Sequence, residues 1–520
     1  MAFSKYFSKN LLAINTLLKT NQSLLYEKLN NFIVSVAFDE NAVSTKEGQN
    51  GLELIVRLLS RLYPKIKIID LSNNNSDMIR KLSVLAVNIN SQIELITEDS
   101  EVDVYIVAGS TNNIAISNGY IIYFGSDKWN AKYSTTKTQS FGNSSNPFGC
   151  GIAACLVASN VFRYLFKESL RFIELDSELE FSVFSLSAET KNINPEIEGL
   201  NFIDVTLVGI GAIGNSTVWA LSKIESLSGT LHLVDDETVS LSNLQRYILL
   251  AEENEGDIKV EVAKKFFQQE QLDVLAFKGN WTEYVNNQNH RKIECVGVCI
   301  DNDKDRIGIQ SSLPHFIYNA FTEKDSIGVN RHLSFGIEPC LACSYIPLYK
   351  KKSYLTEVAE NCNIPDKYEM IKDYFNLGKS VDDIWLPKYN RSLLEVIAEA
   401  NNLVLSNLSQ YTGMMINQFY ADVVCGGILL ALKQSDNKIE NIDAPLAFQS
   451  SFAGILLAAE IVRHHLKEKI DLEHRTDFYP LNSISENVNP YNRVLIKDNT
   501  GRCICHDTDF VESFNEKWNV

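Results

Sequence analysis

The chain has 520 residues, 45% of them hydrophobic and 22% charged, with a formal net charge of −17. That length exceeds one compact core and implies two to four domains, and the composition is that of an ordinary globular protein. The negative balance argues against a nucleic-acid-binding surface, because phosphate would be repelled overall, while a local basic pocket for a nucleotide stays open.

The opening run MAFSKYFSKNLLAINTLL mixes polar residues into its apolar stretch and lacks the pattern of a secretory signal. No stretch approaches the ~18 continuous apolar residues of a membrane span. The chain therefore reads as cytoplasmic, with neither membrane nor nucleic acid as a partner. Ten cysteines are scattered along it. Metal ligand, nucleophile or core filler are their sensible roles in a reducing compartment.

Apolar runs at Lys65–Asp70, Val102–Ala108 and Tyr120–Phe124 predict strands, Ser140–Asn146 predicts a loop, and Ile152–Phe166 predicts a buried helix. A second unit opens near Asn201 with a strand at Val205–Val208, a glycine turn and a helix to about Lys223. Further strands are expected at Thr230–Asp235 and Val296–Ile300. Alternation of strand and helix at this spacing predicts an α/β fold with a doubly wound, mostly parallel sheet. The stretch Pro347–Gln410 is charged and helical in pattern and reads as an insertion. Apolar helices follow at Val423–Leu432 and Phe452–His464, and a short unit, Arg493–Val520, ends the chain. The segments Ala154–Arg163 and Gly454–Arg463 echo one another, both small-residue-rich apolar helices ending in arginine. Either two buried helices look alike by chance, or the fold is duplicated and the N-terminal copy has lost its glycine loop, since no G-x-G-x-x-G stands before residue 200.

Gly209, Gly211 and Gly214 form such a motif between a strand and a helix, where tight turning and exposed N–H groups suit a phosphate. Alone it fits NAD, FAD or ATP. Asp235 ends the next strand, placed for ribose hydroxyls. Arg246 and Lys259 follow, cations that a dehydrogenase has no use for at this point and a triphosphate requires. Asp301 ends a later strand, where a carboxylate can hold Mg2+.

The run D-x-E-x-V-x-x-S-N-L-x-R from Asp235 to Arg246, the lysine Lys259 and the D-N-x-x-x-R from Asp301 to Arg306 resemble the adenylating superfamily of ubiquitin-activating enzymes and their bacterial relatives ThiF, MoeB and HesA. The likeness covers Asn201–Cys343 well and Asp422–Arg463 loosely. It implies that Gly209, Gly211 and Gly214 make the turn, Asp235 takes the ribose, Asn243, Arg246 and Lys259 take the phosphates, and Asp301 takes Mg2+. Two positions depart from the family pattern. Glu237 replaces an aspartate, and Tyr247 replaces the glutamine after the motif arginine.

Cys340 and Cys343 are half of a tetrahedral zinc site by spacing. The family often closes such a site with a second pair. Here that pair is Cys503 and Cys505, a C-x-C with His506 as a possible substitute, and buried cysteine pairs are the alternative. Cys425 precedes an apolar helix where the resemblance places an acyl-accepting thiolate, and a core cysteine is the plain alternative. Cys362, between two asparagines in a polar stretch, is expected to be accessible and is the rival nucleophile. Cys150, Cys155, Cys295 and Cys299 are expected in the core, and His464 and His465 at the surface.

The expected organisation is a degenerate adenylation-like domain at 1–170, the ATP-binding half of an active adenylation domain at 171–346, a helical insertion at 347–415, and a catalytic-cysteine and zinc segment at 416–520. The resemblance implies ATP, Mg2+ and Zn2+ as cofactors, a ubiquitin-like protein with a C-terminal carboxylate as substrate, and a conjugating enzyme as acceptor, as in a bacterial antiphage conjugation system. It implies either a monomer with an internal pseudo-dimer or a homodimer, and a basic residue supplied from the inactive copy. Adenylation of a sulfur carrier or of a peptide C-terminus, without a thioester step, are the alternatives.

Overall fold

The computed structural model describes residues 22–97, 100–111, 119–170, 175–188, 193–288, 292–323, 326–346, 379–387, 389–401, 405–424, 445–481 and 491–520, with positions 14, 18, 358, 359, 362, 364 and 403. The chain divides into two compact units, Met1–Phe3 with Ser23–Ile346 and Pro445–Val520, and Ser4–Gln22 with Pro347–Ala444.

The first unit holds two sheets. The N-terminal one is built from β1 (Ile33–Phe38), β2 (Lys65–Asp70), β3 (Glu94–Leu95), β4 (Val104–Ala108), β5 (Tyr120–Asp127), β6 (Asn130–Ser134) and β7 (Glu178–Ser182), in the order β3-β2-β1-β4-β5-β6-β7. The second is built from β8 (Asn201–Val208), β9 (Ser228–Asp235), β10 (Leu272–Lys278), β11 (Cys295–Val298), β12 (Phe316–Thr322), β13 (Ile327–His332), β16 (Arg475–Phe478) and β17 (Tyr491–Arg493). Its order is β10-β9-β8-β11-β12-β13-β16-β17. The two orders correspond over seven strands, and the second sheet adds an eighth, β17, at its edge. In both, the first strand pairs in parallel with the second and the fourth. In both, the fifth strand meets an antiparallel sixth. The expected doubly wound, mostly parallel sheet is therefore present twice.

The helices repeat as well. α1 (Lys46–Leu59) follows β1 as α3 (Ala212–Ser222) follows β8. α2 (Phe148–Phe166) and α4 (Ala447–His465) are both 19 residues long and almost wholly buried, and they contain the two segments that echo in sequence. Duplication accounts for the echo. α2 is the one helix among the described residues long and apolar enough to cross a membrane, and it is buried inside this unit.

Small residues let these helices cross closely. A Cβ on Gly454 would stand 2.3 Å from the Ile213 carbonyl oxygen. Thr217 donates its hydroxyl to the Gly454 carbonyl at 3.0 Å. Arg463 donates to the carbonyls of Val183 and Phe184 in the N-terminal half. The halves thus share one core. β7 pairs antiparallel with β6, so the N-terminal sheet runs past the expected boundary at 170 to Ser182.

The second unit has an apolar core of its own, including Val358, Cys362, Ile384, Leu393, Ile397, Phe419 and Val423. A small ribbon, β14 (Trp385–Leu386) with β15 (Arg391–Ser392), leads into the helix Leu393–Ala400. This unit extends to Ala444 rather than ending at 415, because Ile416, Phe419 and Val423 pack into that core.

Candidate functional site

The candidate site lies at the carboxyl ends of β8, β9 and β11, where strand order switches direction and an open parallel sheet leaves a crevice. Gly209 follows β8 with φ +88°, a conformation that a side chain strains. A Cβ on Gly214 would stand 2.1 Å from the Gly209 carbonyl oxygen, so only glycine lets α3 start this close to the turn. Asn215 braces the turn from inside. Its amide donates to the carbonyls of Ile210 at 2.8 Å and Gly211 at 3.1 Å.

Asp235, at the end of β9, accepts the Ile210 N–H at 2.6 Å and the Glu237 N–H at 2.9 Å. Its carboxylate thereby ties the glycine turn to the next strand and keeps further lone pairs for a ligand. Burial raises its pKa, opposed by the nearby Lys259 charge and these two N–H groups. Asn243 caps the 3-10 turn Leu241–Asn243, its side-chain oxygen accepting from the Ser240 N–H at 2.9 Å. The Arg246 N–H bonds the Asn243 carbonyl at 3.0 Å, which ties the arginine to that turn.

Two cations converge. Lys259 is only 2% exposed and pairs with Glu237. Its ammonium lies 3.5 Å from the Tyr247 hydroxyl and 5.0 Å from that ring's centre. Burial works against its charge, but Tyr247, Asp235 and Glu237 outweigh burial and raise its pKa, so it stays an ammonium. Tyr247, where the family has glutamine, thus forms part of the lysine's wall. The Arg246 Nε is buried without a hydrogen-bond partner among the described residues. The Nε atoms of Arg306 and Arg331 are in the same condition, so the feature that sets Arg246 apart is its place beside Tyr247 and Lys259.

Asp301 is exposed beyond β11. Burial, then Asp301 and Asp236, raise the pKa of Asp305, so three carboxylates share one region at this edge. Such an oxygen-rich edge suits a hard divalent cation beside phosphates. Arg306 takes another role: it donates to the Ile300 carbonyl and lies 4.5 Å over the Tyr345 ring, bracing the segment that carries Asp301.

At the equivalent strand ends of the N-terminal half, carboxylates of the chain itself take backbone N–H groups. Asp39 follows β1 where the glycine turn follows β8, and its carboxylate accepts N–H groups from Ala42 at 3.1 Å, Ser110 at 2.8 Å and Thr111 at 2.8 Å. Asp70 ends β2 as Asp235 ends β9. It accepts from Asn75 at 2.6 Å and Ser72 at 2.9 Å, and these N–H groups outweigh burial and lower its pKa. Two aspartates thus take the N–H groups that would face an anion.

The sulfur atoms of Cys340, Cys343, Cys503 and Cys505 all lie within 4.8 Å of one another. Neighbouring pairs stand 3.3 to 3.9 Å apart. A tetrahedron with Zn–S bonds of about 2.3 Å has edges of about 3.8 Å, so the set fits Zn2+. The irregular C-x-C pair supplies both ligands through the 3-10 turn Ile504–His506, while His506 itself is exposed.

Other expectations fare differently. Cys425 lies outside the described residues. Cys362 is 3% exposed, not accessible: its side chain joins the second unit's core and its carbonyl accepts from Asn401 at 3.0 Å. Cys150, Cys155, Cys295 and Cys299 are buried as expected, with burial pushing every thiol up, Cys299 to about 12. His464 is half-buried rather than exposed. It bonds the Tyr318 hydroxyl at 2.9 Å, and burial lowers its pKa to about 4.

Sequence reasoning missed Arg57 and Arg61. Arg61, 1% exposed, donates to the carbonyls of Tyr247 at 2.8 Å, Ile248 at 3.0 Å and Leu250 at 2.7 Å, and Arg57 donates to Ile248 at 2.9 Å. No local motif marks either residue.

The sequence model of the ThiF family matches residues 191–359, and that of prokaryotic E2 family C matches residues 37–167. The protein y4jF of Sinorhizobium fredii, itself uncharacterised, is 34% identical over 487 residues, covering 94% of this chain and 91% of its own. Residues 191–359 thus form a ThiF-family domain, and the chain as a whole is a relative of y4jF. Among solved structures, Escherichia coli MccB aligns at 20% identity and a TM-score of 0.25, covering 29% of this chain and 44% of its own. MccB with MccA-N7isoASN aligns at 19% and 0.26, covering 41% and 57%. The chain thus spans about half the length of those solved chains, and the likeness is too low to carry weight for the fold.

Proposed function

We propose that this chain activates the C-terminal carboxylate of a ubiquitin-like protein by adenylation. The observation that carries the reading is the pair of cations beside Tyr247, the buried Lys259 and Arg246, set against a glycine turn and an acidic edge. A triphosphate uses all of these at once, and a dinucleotide leaves both cations idle.

In this reading Asp235 accepts from the ribose hydroxyls, and the turn at Gly209–Gly214 admits the phosphates at the start of α3. Asp301, with Asp236 and Asp305 nearby, holds Mg2+, which supplies Lewis-acid neutralisation of phosphate charge. A carboxylate oxygen of the partner attacks the α-phosphorus. The bond from that phosphorus to the bridging oxygen breaks, and pyrophosphate leaves with the electron pair. Lys259, Arg246 and Asn243 stabilise the charge that accumulates on the phosphoryl oxygens.

The acyl-adenylate then passes to a thiolate. Of the ten cysteines, four form the sulfur cluster and five more are buried. The nucleophile's role goes to Cys425, where the resemblance to ubiquitin-activating enzymes puts an acyl-accepting thiolate, with a conjugating enzyme as the next acceptor. Residues 37–167 match a prokaryotic E2 family, yet their only cysteines, Cys150 and Cys155, are buried in α2. A thiol-relay role for that half therefore finds no support here.

The test is ATP–pyrophosphate exchange with the candidate carrier protein. Carrier-dependent exchange is expected, and its absence sinks the reading. Cys425→Ala should keep exchange and lose a reductant-sensitive carrier adduct. Wild-type exchange with no such adduct would instead favour a sulfur carrier or peptide substrate.

A further inference from the structure

We propose that Arg61 is a positioning residue for Arg246, so that the N-terminal half of the unit sets the geometry of the half that carries the glycine turn.

The two Arg61 terminal nitrogens do different work. One donates to the Arg57 carbonyl at 2.6 Å and so pins Arg61 to the end of its own helix. The other donates to three carbonyls of the segment that follows Arg246. Arg57 adds a fourth bond, to Ile248. From the opposite side the Asn215 side-chain oxygen accepts the Leu249 N–H at 3.3 Å. Residues 247–250 are thus gripped between a cation pair from the N-terminal half and the asparagine that also braces the glycine turn.

Arg246 is the next residue up the chain. Its backbone N–H bonds the Asn243 carbonyl at 3.0 Å. No ion pair joins its side chain to another described residue, and the chain runs from it directly into the segment that Arg61 holds. The grip is also tied to α3. Glu53 accepts from Arg57 at 2.8 Å and from Lys223, the residue that ends α3. Burial pushes the Glu53 carboxyl up, but Arg57 and Lys223 outweigh burial and hold it at about 2. Retention of an N-terminal copy without a glycine motif then has a physical reason: it is the anvil for the phosphate-binding loop. A lysine at position 61 would offer a point charge in place of a planar fork and could not match several carbonyls in the same geometry.

The inference rests on the nucleotide reading above, and the experiment separates the two. The full chain is titrated calorimetrically with Mg2+ and α,β-methylene ATP, for wild type, Arg61→Ala, Arg61→Lys, Arg246→Ala and the Arg61→Ala/Arg246→Ala double variant. Wild type that takes up no nucleotide overturns the nucleotide reading and this inference with it. Given wild-type binding, Arg61→Ala should weaken it about tenfold or more, and Arg61→Lys should fall between. The decisive arm is the double variant. If Arg61 acts through Arg246, its loss adds little once Arg246 is gone, the non-additivity expected of coupled residues. Equal affinities for wild type, Arg61→Lys and Arg61→Ala, or losses that simply multiply in the double variant, overturn the inference. Arg61→Lys keeps the charge, so it serves the comparison if Arg61→Ala does not fold.

Discussion

Lys259 and Glu237 form an unequal pair: the lysine side chain is 1% exposed and the glutamate side chain 66%. The lysine has nowhere else to put its charge, whereas the glutamate can swing into water at little cost. A phosphate arriving at the turn therefore displaces Glu237 rather than Lys259. Lys259→Ala should lower carrier-dependent exchange by about 10²- to 10³-fold, the scale of losing one preorganised charge. Glu237→Gln should tighten binding of magnesium nucleotide, because a competing carboxylate is removed while the fold is spared. Steady-state exchange rates and calorimetric affinities check both; a Lys259→Ala enzyme at full rate would refute the phosphate role. Lys259 was legible in the sequence because it follows a motif that resembles the adenylating superfamily; outside that motif it would read as part of a solvated helix face. Arg61 was not legible. Its acceptors lie 186, 187 and 189 residues along the chain and are backbone carbonyls, which have no letter in the sequence.

At the scale of elements, the four-sulfur cluster joins the 3-10 turn Leu341–Ser344, beyond β13, to the turn at Ile504–His506. The helix Thr508–Trp518 follows directly and is held by Trp518 donating to the Leu313 carbonyl at 3.1 Å and Lys517 to Ser312 at 2.9 Å. Four thiolates this close repel unless a cation sits among them, so metal binding and local folding are one event. Metal analysis should give one zinc per chain. Cys505→Ser, or prolonged chelation, should lower the melting temperature and speed hydrogen exchange in residues 503–518 ahead of the sheets. Zinc-free protein with those residues fully protected would disprove the site. The first pair was legible from its C-x-x-C spacing. The second was legible only as a candidate, because whether two cysteines in C-x-C face the same way depends on the turn between them. Cys362 shows the opposite failure. Its asparagine neighbours suggested exposure, but Cys362 belongs to the same buried apolar core as Val358 and Ile397.

For the whole molecule, the two halves of the first unit share a seven-strand order and have different chemistry at corresponding strand ends. The sequence announced the difference by a missing glycine motif, but not its cause, since Asp39 and Asp70 look like ordinary strand-end carboxylates until the N–H groups they accept are seen. The Asp39 carboxylate packs so closely on Gly109 that a Cβ there would come within 1.8 Å of it. An anion arriving there would have to displace a carboxylate bonded to backbone N–H groups, and such charge-assisted bonds are the strong ones. Nucleotide should therefore bind with a stoichiometry of one per chain, not two. Lys259→Ala combined with Arg246→Ala, both in the second half, should abolish all of the binding heat rather than half of it. A residual second site in that variant would mean that the N-terminal crevice opens in solution and that Asp39 is a gate rather than a plug. Calorimetry of the variant, with the enzyme at a concentration well above the wild-type dissociation constant, distinguishes the two by the molar ratio alone.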